Sequence, residues 1–462
     1  MIGRKTTVSR SLLGLVLLLL LAGLILAACG DATSAPPTAT PLPPTPTASP
    51  SPTPKPAVKG DLTVWSWGTA AQGLQANVAG FNRKYPDVKV KLETLDRLDL
   101  YDKFTTGLTA GGVGLPDVVT LETERLEGIT TKFPEGLANL TERAGIYEKD
   151  FDPVRWAKSD LKSRVRAMPW DVAPAGLFYR TDLFQRAGID PASIETWDDF
   201  ITAGKKIQAA FPGVKMLALD PAKDDVLFRL ILGQQGAYYF NKDGKISLSS
   251  PAALNAMTII QKLKAANLVL TVNGSGELAA AKNGLVAAQP SGSWWGGMLS
   301  QAAPELSGKW DMMLLPAVTK GGNRASSLGG MTLAISSKTK NIEAAWAFIE
   351  YNLATTEGQT TIFKTARILP AFLPTYTDPA FTASQPYFNN KSIWKTFLNE
   401  LPQVASPTYN TDNQLGQAAS LNALADVFKG SDPQTALVKA AEELKAKTGR
   451  DLEIEPTETV KS

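Results

Sequence analysis

The chain has no histidine and only one cysteine, Cys29, in 462 residues. The first absence removes serine–histidine and cysteine–histidine catalysis and every histidine-containing metal site. The second removes internal disulfides, which a chain of this length does not need to hold a core. A surplus of one charge sign is missing too. The formal net charge is +3, and Arg4, Lys5 and Arg10 account for all of it. Without them, 44 basic residues face 44 acidic ones. A neutral chain lacks the basic surface that phosphate neutralisation needs, so nucleic acid is not an expected partner. Nor does its overall field draw in a highly charged ligand, although a local patch remains open.

What is present begins at the N-terminus. The basic start is followed by Ser11 to Ala28, an uncharged and almost wholly apolar run. That arrangement is a targeting signal. The run is also just long enough to span a bilayer, so an uncleaved anchor is the alternative reading. The segment Leu26-Ala27-Ala28-Cys29-Gly30 resembles the lipobox of bacterial lipoproteins. The resemblance implies cleavage before Cys29 and diacylglycerol on its thiol. The protein is then exported and tethered to the outer face of the cell membrane. Paired acyl chains anchor stably where a single one does not. Residues 1–28 are thus expected to be signal peptide and 29–59 a linker. Ten prolines fall between Thr33 and Pro56, with threonine, serine and alanine among them. Such a segment favours extended polyproline II over a packed core.

About 400 residues remain, more than one core usually holds, so two lobes are expected. No internal repeat is visible. The spacing predicts strands over 62–67, 88–92 and 117–121, alternating with helices over 72–85 and 101–110. The 117–121 strand, Asp-Val-Val-Thr-Leu, is apolar enough for burial on both faces. A strand over 176–180 follows. Thr196, with Asp199 three residues on, predicts a capped helix start. Helices over 225–233, 251–266, 342–353, 414–429 and 432–447, and strands over 285–288, 312–315 and 329–335, complete an α/β pattern. Ligands of such sheets sit at the carboxyl ends of strands.

Several stretches, in this order, resemble the extracellular solute-binding proteins of ABC importers, in the sugar-binding group that includes maltose-binding protein. They are LTVWSWG (62–68), LPDVVTLE (115–122), MPWDVAPAGLFYRTDLFQRAGID (168–190), TWDDF (196–200), GAYYFNKDGKISLSSPAALNAM (236–257), LVAAQPSGSWW (285–295), SLGGMTLAISSKTKNIEAAWAFIEY (327–351) and ILPAF (368–372). The resemblance implies an α/β fold of the type II periplasmic-binding-protein kind, with a ligand cleft between two lobes. One lobe is expected to hold 60–172 and 325–370, the other 173–324 and 371–455, with 456–462 a loose tail. The chain is expected to cross near Trp170 to Gly176 and again near Ala317 to Leu328. Gly321, Gly322, Gly329 and Gly330 offer hinge freedom.

Sugars present flat apolar faces edged with hydroxyls, so aromatic rings beside carboxylates, amides or arginines suit them. Trp67 ends the first strand, and Trp65 shares its side. Glu122 and Glu124 follow the buried strand. Trp170 and Asp171 form a stacking pair at the first crossing. Trp294 and Trp295 project from a glycine-rich loop, and Arg367 reaches in from the lobe junction. These are the candidate ligand-binding residues, each against a structural alternative: core aromatic, solvated loop charge or local cap. Asn410 and Asp412 are weaker candidates, while Tyr179, Tyr238 and Tyr239 read as core. No cofactor and no metal are expected, and the protein is expected to be a monomer.

The expected function is capture of a carbohydrate, an oligosaccharide in particular, for a membrane permease. Polyols, glycerol phosphate and polyamines are the other solutes. A sensory or adhesive module is a further reading. The rival class is an exported glycoside hydrolase, which needs two opposed carboxylates; Glu122, Glu124 and Asp171 leave that open on sequence.

Overall fold

The computed structural model describes residues 58–454 apart from Asp160, Lys162 and Ser275. The expected signal peptide, Cys29 and nearly all of the expected linker lie outside the described residues.

Ten strands are named among the described residues. In chain order they are β1 (Gly60–Trp67), β2 (Val88–Leu95), β3 (Val118–Glu122), β4 (Met168–Pro169), β5 (Ala175–Arg180), β6 (Leu217–Leu219), β7 (Val269–Thr271), β8 (Ala288–Gly292), β9 (Trp310–Met313) and β10 (Met331–Ile335). The first sheet runs β2-β1-β3-β10-β4, with β10 antiparallel to both neighbours. In the second lobe β8-β5-β9 pair antiparallel and β6-β7 pair parallel. A parallel bridge between Lys215 and Val286, with Ala288 N–H donating to the Met216 carbonyl at 2.8 Å, joins the two sets. The resulting order is β7-β6-β8-β5-β9. Each lobe therefore places its antiparallel strand fourth, and that strand is the first after the chain crosses over. The architecture repeats although the sequence does not.

Local chemistry explains the elements. Val118, Val119, Thr120 and Leu121 of β3 are buried, as an interior strand with both faces covered demands. Thr196 and Asp199 form a reciprocal capping box at the start of helix Trp197–Ala210. β8 lies at 288–292, not at the expected 285–288. Its sequence Ala-Gln-Pro-Ser-Gly is poor in strand formers, and Pro290 brings no N–H to the ladder. The Gln289 side chain compensates. Its Oε1 accepts from Ala218 N–H at 3.1 Å, and its Nε2 donates to the Ala218 carbonyl at 3.2 Å.

The chain crosses between lobes as a ribbon. Trp170 N–H donates to the Met331 carbonyl and Ala371 N–H to that of Trp170, each at 2.9 Å. Val172 N–H donates to Leu369 and Leu328 N–H to Ala173, again at 2.9 Å. Residues 170–175 thus run between 326–331 on one side and 369–371 on the other. Residues 371–454 divide in their packing. Helices Asn413–Lys429 and Pro433–Thr448 lie against helix Pro251–Ala265 of the second lobe. Phe381, Phe388, Trp394 and Phe397 instead form one cluster with Phe363 of the first lobe and Phe178 and Trp295 of the second. This aromatic wedge continues the hydrophobic core across the crossing.

Gly330, at φ +145°, shows how tightly the ribbon is built. A Cβ there would lie 2.9 Å from Arg155 Nη1 and 3.3 Å from the Asp171 carbonyl oxygen. Gly330→Ala is expected to cost about 1–3 kcal/mol, read as a lower urea midpoint. The control is Gly213→Ala, where a Cβ meets nothing within 4 Å. Equal midpoints for the two variants would show that the ribbon is not strained at this position.

Candidate functional site

The carboxyl end of β3 runs directly into helix Thr123–Lys132, and Glu124 stands in its first turn. From there Glu124 reaches across to the second lobe. Its Oε2 accepts from Arg229 Nη1 and from the Tyr238 hydroxyl, each at 3.2 Å. Arg229 belongs to helix Val226–Gln234, and its Nε donates to Asp225 Oδ1 one turn earlier at 3.0 Å. Asp225 is fully buried and also accepts from the Ser420 hydroxyl at 2.6 Å and from the Tyr239 hydroxyl. One guanidinium therefore serves two carboxylates, one from each lobe. Burial pushes the Glu124 carboxyl above its ordinary range, against the pull of Arg229.

Two recesses meet at this bridge. The first, partly open to solvent, is lined by Arg229, Tyr238 and Tyr409, with Ser327 and Gly329 of the crossing ribbon. The Tyr238 and Tyr409 rings stand edge to face, 5.4 Å apart. The second, a shallow and tightly packed crease, lies between Glu124 of the first lobe and the start of helix Asn413–Lys429 in the second. Aromatic faces, hydroxyls and a fixed ion pair converge here, which suits a ring edged with hydroxyl groups. Among the described residues no cluster of three or more acidic or cysteine side chains is arranged to hold a metal ion.

The sequence-derived candidates fall into three places. Trp67, Glu122 and Glu124 come together at one end of the first sheet. The partly exposed Trp67 ring lies 6.0 Å from Tyr101, whose ring carries Arg125 at 4.2 Å. Glu122 accepts from Arg125 Nε at 2.8 Å and from Arg97 Nη1 at 3.1 Å, so it is turned onto its own lobe. Trp65 is buried, with a lysine ammonium, Lys103, 4.8 Å from its ring.

Trp170 and Asp171 do not form an open stacking pair. Trp170 is fully buried in the ribbon, and its carbonyl takes a bond from Gln359 Nε2 at 3.1 Å. Asp171 accepts from Met331 N–H, and burial pushes its carboxyl up to about 6. Both residues hold the crossing together.

Trp294 and Trp295 lie not in a loop but in the first turn of helix Ser293–Ala302. The two glycines after them allow close packing. A Cβ on Gly296 would meet Phe178 at 2.8 Å, and one on Gly297 would meet Arg367 at 2.6 Å. Trp295 is core, 5.0 Å from Phe178 and 5.6 Å from Trp310. Trp294 is half-buried and folds its indole over Gly292. Arg367, left-handed at φ 56°, ends helix Thr356–Ala366 with its guanidinium 5.6 Å from the Phe363 ring. Trp294 and Arg367 thus mark a second junction between the lobes.

Sequence reasoning missed Arg229, Asp225 and Tyr409, and it assigned Tyr238 to the core. Tyr238 is indeed buried, but its hydroxyl crosses the cleft. A signal for Arg229 was present. It is the one charge in the apolar run Val226 to Leu232, with an aspartate four residues before it.

The sequence model for bacterial extracellular solute-binding proteins matches residues 65–360. The lactose-binding protein of Rhizobium radiobacter is 29% identical over 400 residues, covering 84% of this chain and 92% of that protein. The arabinooligosaccharide-binding protein of Bacillus subtilis (strain 168) is 26% identical over 405 residues, with the same coverage. Among solved structures, the GacH receptor of Streptomyces glaucescens superposes with a TM-score of 0.74 at 20% identity. That match covers 85% of this chain and 99% of the receptor. The ABC-transporter-associated binding protein of B. animalis subsp. lactis Bl-04, in complex with beta-1,6-galactobiose, gives a TM-score of 0.74 at 22% identity, over 86% and 100% of the two chains. These likenesses show a two-lobed periplasmic-binding-protein-like fold with a cleft between the lobes.

One titrating pair borders the network. Glu277 and Asp224 share a hydrogen bond next to Asp225, and burial followed by the Asp224 charge pushes Glu277 to about 9 from an ordinary 4.5. The fold therefore holds a proton that the unfolded chain releases between these values. Its stabilising effect is complete below about 4.5 and is lost as pH climbs toward 9. The melting temperature is expected to fall from pH 6 to 9 more steeply in the parent protein than in Glu277→Gln. Parallel melting curves would overturn the shared proton.

Proposed function

The chain belongs to the bacterial extracellular solute-binding protein family, and from that premise we propose that it captures an oligosaccharide between its lobes and passes it to the permease of an ABC importer. The observation that carries this reading is the meeting of groups from both lobes at Glu124, with Arg229 and Tyr238 opposite and Tyr409 beside them. A sugar entering the open cleft exchanges hydroxyl contacts for part of this network and lays a ring face on a tyrosine. Binding favours the closed arrangement, which is a population shift and needs no bond-making step. The permease then reads the closed form and receives the ligand.

Two rival readings are opposed by the same geometry. A glycosidase needs one free acid and one free carboxylate across the sugar, yet Glu122 and Glu124 are both held by arginines. A polyamine receptor needs carboxylates without counter-ions, and Asp225 too has its arginine. We further assign Cys29 as the lipidated residue, with the protein a monomer on the outer face of the cell membrane and the proline-rich linker setting its distance from the permease.

A thermal-shift panel of neutral oligosaccharides, polyols and polyamines tests the solute. A cognate oligosaccharide at a hundred times its Kd is expected to add about 2.7 kcal/mol of stability. Glu124→Gln is expected to weaken it at least tenfold. Stabilisation by polyamines alone, or release of cleaved sugar, would sink the reading. Separately, Cys29→Ser is expected to move the protein from the membrane pellet to the soluble exported fraction. Retention in the pellet after that change would reject the lipid tether.

A further inference from the structure

The crossing ribbon holds a carboxyl and a guanidinium that are both buried and only half satisfied. Asp171, 4% exposed, accepts from Met331 N–H and makes no ion pair among the described residues. Arg155, 5% exposed, stands in helix Pro153–Ser159 of the first lobe. Its Nη2 donates to Ser327 Oγ at 3.3 Å, while its Nη1 has no hydrogen-bond partner. Gly330 packs against both residues. A Cβ there would meet Arg155 Nη1 at 2.9 Å and the Asp171 carbonyl oxygen at 3.3 Å. Opposite charges this deeply buried normally neutralise each other, because each alone is costly to desolvate. Here the ribbon keeps them apart.

Other unmade bonds collect at the same place. Trp170 Nε1, Ser326 Oγ and Gln359 Oε1 are buried without a partner, and Gln359 Nε2 donates to the Trp170 carbonyl. Folded proteins seldom leave such atoms unpaired. Unmade bonds beside a glycine at φ +145° leave the ribbon a second pattern of bonds to adopt.

The charged and titratable groups around this pair come from every element packed on it. Asp152, just before the Arg155 helix, accepts from Arg155 N–H at 3.0 Å. Tyr376 donates its hydroxyl to the carbonyl of Pro370, which bridges Asp171 across the ribbon. Tyr409 faces Arg155 from the second lobe. Burial keeps both phenols neutral well beyond neutral pH. At Asp171, burial outweighs Met331 N–H and the Arg155 charge and lifts the carboxyl from 3.8 to about 6.

We propose that Asp171 and Arg155 form a proton-controlled latch in the crossing ribbon. With Asp171 neutral, the ribbon takes the arrangement seen here, the carboxyl resting on Met331. With Asp171 ionised, Arg155 Nη1 pairs with the carboxylate, and segment 327–331 shifts to let it through. Ser327 and Gly329 of that segment line the first recess, so the proton reaches the cleft whichever solute the cleft takes. The sign follows from the carboxyl being raised in one arrangement and at its ordinary 3.8 in the other. The present arrangement is favoured in full below 3.8 and loses that advantage as pH climbs through about 6. The balance between the two then moves about tenfold from pH 5 to pH 7.

The test is amide NMR of the full exported protein from pH 5 to 7.5, without added solute. The Ser327, Gly330 and Met331 signals are expected to move together, with one midpoint at about 6. In Asp171→Asn they are expected to stay fixed. In Arg155→Gln, Met331 still titrates, at a higher midpoint because a cation is gone, while Ser327 and Gly330 stay fixed. Movement of Met331 alone in the parent protein overturns the latch, because the carboxyl then titrates without shifting the ribbon. A flat parent profile overturns it as well, and so does full movement in Asp171→Asn. Should Asp171→Asn fail to fold, the split between Met331 and Ser327 in Arg155→Gln decides by itself.

Discussion

The polar contact between the lobes turns on a single guanidinium. Arg229 is held by Asp225 on its own helix and by Glu124 from the opposite lobe. The two contacts differ in what they cost. Asp225 is fully buried and has Tyr239 and Ser420 as further donors, so its pair with Arg229 is built into the second lobe. Glu124 joins only when the lobes meet. Its desolvation opposes closure, and its bonds to Arg229 and Tyr238 offset that penalty. Arg229 therefore keeps a counter-ion however the lobes stand, while Glu124 has full compensation only across the cleft.

The crossing ribbon restricts how the lobes can move. Residues 170–175 are bonded on both edges, and Trp170 and Asp171 are buried inside it. Arg155 lies over Gly330 and donates to Ser327 Oγ at 3.3 Å, tying the first lobe to the second crossing. On another side, the aromatic wedge of Phe381, Phe388, Trp394 and Phe397 packs against both lobes. Interiors packed this densely do not shear freely. The ribbon and the wedge thus tie the lobes together at places other than the contact of Glu124 with Arg229.

Much of this was legible in the chain. The continuous apolar run of β3 announced a strand covered on both faces, and Thr196 with Asp199 announced a capped helix. The carboxyl ends of strands pointed to Trp67, Glu122 and Glu124 as neighbours. What escaped the sequence did so for physical reasons. β4 has two residues, and β6 and β7 have three each, too few for any period to register. β8 hides because a glutamine side chain does a neighbouring strand's work. Ser-Trp-Trp-Gly-Gly reads as a loop, yet its glycines serve a helix pressed against Phe178 and Arg367. The tryptophans misled because bulk suits a core as well as a sugar, and burial decided for the core at Trp170 and Trp295.

The balance of charge around the cleft explains how such a site can discriminate. Glu122, Glu124 and Asp225 face Arg97, Arg125 and Arg229, three carboxylates against three guanidiniums. Without Arg4, Lys5 and Arg10 the chain is balanced in the same way. No long-range field therefore speeds one solute over another. Selectivity must then come from contact, where Asp225 and Glu122 are held by arginines of their own lobes and Glu124 by an arginine across the cleft. A solute that leaves a desolvated group without a partner is penalised far more than one that lacks a methylene. The ion pairs that offset one another electrostatically thus leave recognition to direct contact rather than to the overall field.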